Sequence, residues 1–387
     1  MHAEERQQAI LRRVREAGSM RVTEFAGELG VSVVTVRKDV EVLAERGLLA
    51  RVHGGAMLPE DWAETAPATA PAAPAPAAEP GRVRAAATGG RPLTLGLIVP
   101  SSAYYYPEVI KGAREAADAL GVRLTLAVST YDVDTEKAQA ARMVADGADG
   151  LLLAPSAPSV PSIPSGPSAP SAVGVEGGPG GPWYEELGVP VVLVERRPER
   201  HASACEHVGT DHGYGARLAV RHLLDAGRRR IALVMRGGTP TAPWIKEGYD
   251  AAVAEAGPEV SGHALFLDLA EHDAGEAAYE RAVDAFIEGV RAGRIDAALV
   301  HPDHEAVVLS QRLRSASLSV PGDVALVSYD DEVASLADLP LSAVAPSKHE
   351  VGVTGVELLV RRLREPGRPR RRIAILPELR VRASSET

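Results

Sequence analysis

The chain has 387 residues, enough for two or three domains, and its hydrophobic content of 45% can fill real cores, which excludes global disorder. Its formal net charge of -10 excludes a chain coated in nucleic acid but permits a small DNA-reading domain on an acidic body. Cys205 is the only cysteine, so no internal disulfide can form, which suits a reducing compartment. We find no signal peptide and no run of about 18 apolar residues, and therefore expect a cytoplasmic protein without a membrane partner.

Residues 21–56 have the pattern of two short helices joined by a tight turn and followed by a small β hairpin. Apolar residues recur at helical spacing in the first helix, which Gly30 ends, and the hydroxyl of Ser32 is placed to cap the second helix. Along the second helix Val36, Val40 and Leu43 face inward, which leaves its leading end exposed. A predicted strand and the glycine turn of a wing then follow.

The exposed end of the second helix suits the major groove of DNA. A helix fits that groove, and short polar or cationic side chains at its start reach base edges and phosphates. We predict DNA contacts by five residues of this helix and two of the wing, namely Ser32, Val34, Thr35, Arg37, Lys38, Arg51 and His53. The alternative is a small helical bundle with a cationic, solvated face.

The same segment carries a resemblance to a known family. Ile10 and Val14 on a leading helix, the core Ser32-x-x-Thr35-Val36-Arg37-Lys38 and the wing of residues 47–56 closely resemble the winged helix-turn-helix of DeoR-type bacterial regulators. The resemblance covers residues 1–58. It implies a double-stranded DNA operator as a partner.

Two low-complexity tracts interrupt the chain. Residues 59–91 are rich in Ala, Pro, Thr and Gly and offer almost no apolar anchors, which predicts a semi-extended, flexible linker. Residues 155–182 are rich in Ser, Pro and Gly but lie between two strand-like segments, which indicates a surface insertion within a domain. The predicted domains are therefore residues 1–58, for DNA binding, and residues 92–387, for effector binding and dimerisation.

The second domain alternates strand and helix patterns. The predicted strands are residues 93–99, 123–128, 150–154, 189–195, 230–235, 264–267, 297–301 and 324–328. The predicted helices are residues 108–120, 135–146, 211–226, 245–256, 276–292, 305–315 and 348–364. This alternation predicts an α/β fold with two parallel sheets that carry helices on both faces.

Polar and aromatic residues follow the predicted strands, at the ends where such folds bind ligands. They are the run Tyr104-Tyr105-Tyr106, then Glu195-Arg196, then Arg236, then His301 to Glu305, and finally Tyr329-Asp330-Asp331. Aromatic rings cover the apolar face of a sugar, and charged groups bind its hydroxyls. The pattern therefore favours a polyhydroxylated ligand.

Competing interpretations of these residues are weaker. His301, Asp303, His304 and Glu305 look like metal ligands, but adjacent residues of a helix do not share a face and no metal-binding spacing accompanies them. No hydrolase or phosphate-binding motif occurs, so we predict neither catalysis nor a cofactor. Asp330 and Asp331 could cap a helix, and we interpret the arginine run of residues 368–372 as a solvated turn.

A second resemblance covers about residues 93–382. The segments LGLIVPSSAYYYPEVIKG, GADGLLLAP, GVPVVLVERRP and VPGDVALVSYDDEVAS resemble the sugar-sensing core of LacI/GalR repressors. The resemblance implies two lobes that close on an effector. It places ligand contacts on Tyr105, Tyr106, Glu195, Arg196, Asp303 and Asp330.

The resemblance also has departures. The arginine with which the family grips its sugar falls on Pro243, and the Asn of its Asn-Asp pair falls on Pro302. We expect Trp244 and Lys348 to line the pocket in their place.

The sequence thus predicts a DNA-binding regulator, a repressor, that is controlled by a sugar-like effector and acts as a homodimer. Because a flexible linker transmits a rotation of the sensor domain poorly to the DNA-binding domain, we expect the effector to act by changing how sensor domains pair. Two alternatives stay open: an effector-independent repressor with a degenerate sensor, favoured by Pro243 and Pro302, and an enzyme acting on a sugar or sugar phosphate.

Overall fold

The computed structural model describes residues 91–156, 182–197, 203–236, 238–266 and 274–386, together with separate positions and three short strands within residues 6–57. Its contacts divide the chain into two units, Met1–Ala86 and Ala87–Thr387. Nearly all of the predicted linker and of the predicted insertion lies outside the described residues, so their character and the domain boundaries remain predictions. None of the helices in the described ranges is long and apolar enough to span a lipid bilayer.

The first unit contains a small antiparallel sheet. Its strands are β1 (Ser19–Arg21), β2 (Ala50–Val52) and β3 (Gly55–Met57), in the order β1-β3-β2. Strands β2 and β3 form the predicted hairpin, whereas β1 was not predicted. Apolar side chains expected to face inward are buried, namely Phe25, Ala26, Val36, Val40 and Leu43, and so are Ile10 and Val14. Apolar burial at helical spacing thus builds the core of this unit.

The second unit alternates strands and helices as the pattern predicts. In chain order its elements begin with β4 (Thr94–Val99), α1 (Tyr106–Leu120), β5 (Arg123–Val128), α2 (Val133–Ala145), β6 (Gly150–Leu153), β7 (Val191–Val194), β8 (Glu206–Thr210) and α3 (His212–Asp225). They continue with β9 (Arg230–Met235), α4 (Ala242–Ala256), β10 (Ser261–Phe266), α5 (Ala274–Arg291), β11 (Ala297–His301), α6 (Asp303–Ser315) and β12 (Ala325–Tyr329). They end with β13 (Ser342–Ala345), α7 (Lys348–Arg364), β14 (Arg372–Ile375) and β15 (Glu378–Arg380).

These elements build two lobes, each around a six-stranded sheet. The first lobe has the strand order β14-β8-β7-β6-β4-β5, and all of its strand pairs are parallel. The second lobe has the order β10-β9-β11-β12-β13-β15, in which only the pairing of β15 with β13 is antiparallel. Separate apolar clusters cover the two faces of each sheet. The predicted architecture of two parallel sheets with helices on both faces is confirmed.

Glycines allow one pair of helices in each lobe to cross closely. A Cβ atom on Gly112 of α1 would lie 2.0 Å from the carbonyl oxygen of His349 in α7. In the second lobe, a Cβ atom on Gly248 of α4 would lie 2.2 Å from the carbonyl oxygen of Gly213 in α3. Because no side chain fits at either position, these crossings require glycine.

The chain passes between the lobes at three places. They follow β8, β13 and β14, and Lys348 begins α7 at the second of them. The Asp211 N–H donates to the Ile375 carbonyl at 2.9 Å, which ties the first crossing to the third. This arrangement directs the carboxyl ends of both sets of parallel strands toward the cleft between the lobes.

Two local interpretations differ from the structure in part. Residues 369–372 of the arginine run are exposed as predicted, but the Arg368 side chain is only 6% exposed, because its guanidinium pairs with Glu206, as does that of Arg362. Asp330 and Asp331 do not begin a helix. Instead the Asp303 carboxylate accepts the backbone N–H groups of residues 332, 333 and 334.

Candidate functional site

The loops at the strand ends line a half-open cavity of about 210 Å³ between the lobes. Six lining residues come from the first lobe, namely Tyr104, Tyr105, Tyr106, Tyr131, Glu195 and Arg196. Six come from the second lobe, namely Thr239, Pro240, Thr241, His301, Pro302 and Asp330. The parallel topology therefore gathers residues from separate parts of the chain at one place.

Tyr105 and Tyr106 form the aromatic side of the cavity. Their rings pack edge to face with centroids 5.7 Å apart. Tyr105 donates a hydrogen bond from its hydroxyl to Glu195 Oε1 at 2.8 Å. Burial raises the pKa of both tyrosines, so each hydroxyl keeps its proton at neutral pH and remains a donor.

Glu195 directly follows β7 and is buried. Its carboxylate accepts hydrogen bonds from the Thr210 N–H at 3.1 Å and the Thr210 hydroxyl at 3.0 Å, besides the one from Tyr105. Burial raises the pKa of Glu195, although these hydrogen bonds and Arg196 favour its ionised form. The carboxylate is therefore fixed in place beside the aromatic rings.

Asp330 directly follows β12 and is the less compensated of the two carboxylates. Its exposed fraction is 4%, and burial raises its pKa to about 7 although Lys348 opposes that shift. Within the described part of the chain no group donates a hydrogen bond to it. His301 Nε2 lies 3.8 Å from Asp330 Oδ2, beyond hydrogen-bond distance.

Two buried histidines stand beside the two carboxylates. His212 Nε2 lies 3.9 Å from Glu195 Oε2, much as His301 lies beside Asp330. Burial lowers the pKa of both histidines to about 3, so both are neutral at pH 7. His212 Nε2, His301 Nδ1 and Arg196 Nε are buried without a hydrogen-bond partner among the described residues. Such unpartnered buried atoms are uncommon, and these three belong to residues that line the cavity or the small pocket beside it.

Backbone strain concentrates at the same place. Six non-glycine residues in the described ranges have positive φ, and five of them follow strands at the cleft: Tyr104 (54°), Thr130 (55°), Tyr131 (61°), Glu195 (55°) and Asp330 (69°). The left-handed region costs an L-residue roughly 1–3 kcal/mol and persists where surrounding structure enforces it, often at binding sites.

Three of the contacts between described residues that join the lobes across the cleft are hydrogen-bonded, ionic or cation–π contacts. The Tyr104 hydroxyl donates to Asp303 Oδ1 at 2.5 Å, and the Lys348 ammonium pairs with the Glu332 carboxylate. Arg197 Cζ lies 4.3 Å from the centroid of the Trp244 ring. All three contacts depend on the angle between the lobes.

The predicted ligand residues thus fall into two groups. Five of them line the cavity, namely Tyr105, Tyr106, Glu195, Arg196 and Asp330. Trp244 lines a small adjoining pocket, and Asp303 and Lys348 take part in the interlobe contacts. Whether any of the eight binds a ligand remains a prediction.

Sequence reasoning did not assign Tyr131 or residues 239–241 to the cavity, although both segments follow predicted strands.

The cluster around His304 was judged from the sequence to be a weak candidate for metal binding. Burial disfavours the ionised form of Glu305, but hydrogen bonds from His304, Tyr279 and Arg236 outweigh it and lower its pKa to about 2. In the described ranges, no group of three or more His, Cys, Asp or Glu side chains could hold a metal ion.

The predicted DNA-contacting residues lie almost entirely outside the described residues. This holds for Ser32, Val34, Thr35, Arg37, Lys38 and His53, whereas the backbone of Arg51 belongs to β2. Their contacts therefore remain predictions.

Comparison with known protein families accounts for both units. Residues 6–61 match the DeoR-like helix-turn-helix domain. Residues 92–169 match the family of periplasmic binding proteins and the sugar binding domain of the LacI family. Residues 220–385 match the periplasmic binding protein-like domain.

Similar proteins agree with these matches. The arabinose metabolism transcriptional repressor of Geobacillus stearothermophilus is 25% identical over 296 residues, which cover 76% of this chain and 77% of the repressor. The ribose operon repressor of Escherichia coli K12 is 26% identical over 296 residues, which cover 76% of this chain and 82% of the repressor.

A solved structure confirms the fold. The periplasmic binding protein/LacI transcriptional regulator from Alkaliphilus metalliredigens QYMF, complexed with D-xylulofuranose, superposes with a TM-score of 0.58 at 16% identity and covers 76% of this chain and 99% of that chain. The chain therefore combines a DeoR-like helix-turn-helix domain with a periplasmic-binding-protein-like domain of the LacI type.

Proposed function

We propose that this chain is a transcriptional repressor whose binding to a DNA operator responds to a small, polar, carbohydrate-like effector held between the lobes. One observation carries the proposal: the cavity takes six lining residues from each lobe. A ligand in it contacts both lobes at once, and so stabilises one arrangement of the lobes over others.

The relatives support this function. They are transcriptional repressors, named for arabinose metabolism and for the ribose operon, and the alignments span about three quarters of this chain. Both are regulators rather than enzymes, which supports the expectation that this chain is not an enzyme. Buried polar groups beside aromatic rings suit a sugar or a sugar derivative.

The DNA-binding half of the proposal rests on the helix-turn-helix domain. We place the second helix of that domain in the major groove, with Thr35, Arg37 and Lys38 toward bases and phosphates and with Arg51 and His53 on the adjacent backbone or minor groove. A bidentate base contact discriminates by roughly 1–3 kcal/mol. Two copies of the chain would present two DNA-binding domains to a repeated site, so the functional form is a homodimer.

The effector acts by changing how two sensor domains pair. Once the DNA-binding domain of one copy is bound, the pairing of the sensor domains sets the effective concentration of the other copy's DNA-binding domain at the operator. The low-complexity composition of residues 59–91 favours this mechanism over one in which a rigid linker transmits a rotation to the DNA-binding domain. Operator affinity should then tolerate changes of a few base pairs in half-site separation, and a sharp dependence on spacing would contradict this route.

The test of function is a DNA-binding titration with and without effector. The operator is first obtained by capturing fragments of the chain's own genome with the full chain. A panel of sugars, amino sugars and sugar phosphates is then added to the complex. A change in DNA affinity with any member supports the proposal, and unchanged affinity with every member contradicts it.

One observation favours a second candidate, a repressor that needs no effector. The interlobe contacts of Tyr104, Lys348 and Arg197 use only groups of the chain itself. Pro243 and Pro302 occupy positions where the resembled family has polar ligands. Thermal-shift screening separates the two candidates, since an effector-independent repressor gains stability from no member of the panel.

A further inference from the structure

The charge of the cavity wall discriminates between classes of effector. Glu195 and Asp330 line it, one from each lobe, and both are buried. Arg196 is the one cationic side chain that lines it among the described residues, because burial keeps His301 neutral. A wall with two carboxyl groups and one cation disfavours ligands that carry phosphate or carboxylate groups, and more strongly as Asp330 ionises above about pH 7.

The cations near this wall are already engaged with carboxylates. The Lys348 ammonium pairs with Glu332. The Arg196 charge favours ionisation of both Glu136 and Glu195, so it is shared between those two groups. Asp330 therefore shares its main compensating cation, Lys348, with Glu332.

Asp330 also lacks hydrogen-bond donors. It is 4% exposed, and no group in the described ranges donates to its carboxylate. Glu195, in contrast, accepts hydrogen bonds from Tyr105 and from Thr210. A buried carboxylate without donors is costly, and a cationic donor on a ligand would remove that cost.

The aromatic groups of the cleft already bind cations of the chain itself. Lys348 Nζ lies 4.7 Å from the centroid of the Tyr105 ring, and Arg197 Cζ lies 4.3 Å from that of Trp244. The negative face of an aromatic ring attracts a positive charge, most strongly where water is excluded. The rings of Tyr104, Tyr106 and Tyr131 extend the aromatic lining of the same cavity.

The cavity also limits the size of the ligand. Its volume of about 210 Å³ lies below the roughly 300–1,000 Å³ of pockets for drug-sized ligands. A single sugar ring is therefore a better match than an oligosaccharide.

We propose that the effector carries a protonated amino group, which binds between the Asp330 carboxylate and the tyrosine rings. The ligand is then an amino sugar, that is, a polyhydroxylated amine, rather than a neutral or phosphorylated sugar. This inference rests on the proposed function, because it names the effector of the same cavity. Glu195 and Thr241 would bind the ligand hydroxyls.

The experiment compares matched ligands on the full chain by thermal shift and calorimetry. Each set contains a hexose, its 2-amino-2-deoxy derivative, the N-acetyl derivative of that amine and the hexose 6-phosphate, in the gluco, galacto and manno series. In at least one series the amine should bind roughly 10- to 100-fold more tightly than the other three members, the range for a charge-assisted hydrogen bond. N-acetylation should remove this advantage, because it removes the charge and keeps the ring.

The outcomes separate this inference from the proposed function. If a neutral or phosphorylated sugar binds most tightly, the inference is wrong and the proposed function stands. If no member of any set binds, the proposed function fails, and the inference fails with it. The comparison of amine with N-acetyl derivative uses the unaltered chain and so does not depend on the folding of a variant.

A variant then tests the assigned residue. Asp330→Asn should abolish the preference for the amine over its N-acetyl derivative, because it removes the carboxylate and keeps the shape of the side chain. The matched control is Asp331→Asn, since the Asp331 carboxylate instead pairs with Arg380 and Arg382. An Asp330→Asn variant that keeps the preference would overturn the assignment.

Discussion

Replacing Asp330 with asparagine should stabilise the protein at neutral pH. Burial raises the pKa of this carboxyl from its ordinary value of 3.8 to about 7, against the opposing effect of Lys348. Asp303, Glu332 and Glu195 raise it further. The folded state therefore resists ionisation of Asp330, whereas the unfolded chain ionises it freely.

The sign and size of the effect follow from linkage. Because the folded pKa lies above the unfolded one, the folded state binds more protons between these two values, and stability falls as pH rises through that window. At about 1.4 kcal/mol per pKa unit, the full penalty above pH 7 is at most about 4 kcal/mol. Asparagine has no charge, so Asp330→Asn should recover roughly 1–4 kcal/mol at about pH 8 and almost nothing at about pH 4.

The neighbouring residue provides a control of opposite sign. Burial disfavours ionised Asp331, but hydrogen bonds from Arg382 and Arg380 outweigh it and lower its pKa. These guanidinium groups donate at 2.7–2.8 Å. Asp331→Asn should therefore destabilise the protein, by roughly 1–3 kcal/mol.

Urea unfolding of the full chain measures both effects. Two of the three tryptophans, Trp183 and Trp244, lie in the second unit, so most of the tryptophan fluorescence follows its unfolding. If Asp330→Asn proved no more stable than the unaltered chain at about pH 8, or gained equally at about pH 4, the reasoning on buried charge would be refuted.

Three further predictions concern other parts of the molecule. Gly112→Ala should destabilise the first lobe by roughly 1–3 kcal/mol in urea unfolding, because its Cβ atom would meet a backbone carbonyl at 2.0 Å. The control is Gly367→Ala, which should have little effect because a Cβ atom there would have no neighbour within 4 Å. Tyr104→Phe should weaken effector binding roughly tenfold in calorimetry, because it removes the interlobe hydrogen bond to Asp303. Arg37→Ala should weaken operator binding and reduce by about one the slope of log affinity against log salt concentration, if this side chain contacts a phosphate.

Each of these predictions can fail in a defined way. Equal stability of the two glycine variants would mean that the helix crossing relaxes without cost. Effector affinity unchanged by Tyr104→Phe would mean that this hydrogen bond does not govern closure, and Tyr214→Phe on the exposed face of α3 is the control for a lost hydroxyl. An unchanged salt slope for Arg37→Ala would remove this residue from the phosphate contacts.

Much of the fold was predictable because buried strands produce apolar runs. Strands such as β4 and β11 were recognised for that reason, and the ends of such strands located Glu195 and Asp330. The strands β8, β13, β14 and β15 were not recognised, since each has only three to five residues.

The remaining features depend on tertiary contacts that no local pattern records. The side chain of Arg368 is largely buried because Glu206, far away in the chain, offers a carboxylate. The role of Asp303 depends on the loop of residues 332–334 and on Tyr104, in the other lobe. Tyr131 reaches the cavity by the path of its loop. Composition and periodicity therefore locate strand ends but not the partners that meet there.

The most direct test of the central claim is a fluorescence anisotropy titration of the full chain on its operator, with and without the effector that stabilises it most. Ligand-responsive repression predicts that the effector changes DNA affinity by roughly 5- to 150-fold, the usual range for coupling between two sites. The same affinity in the presence and absence of a ligand shown to bind would contradict the claim.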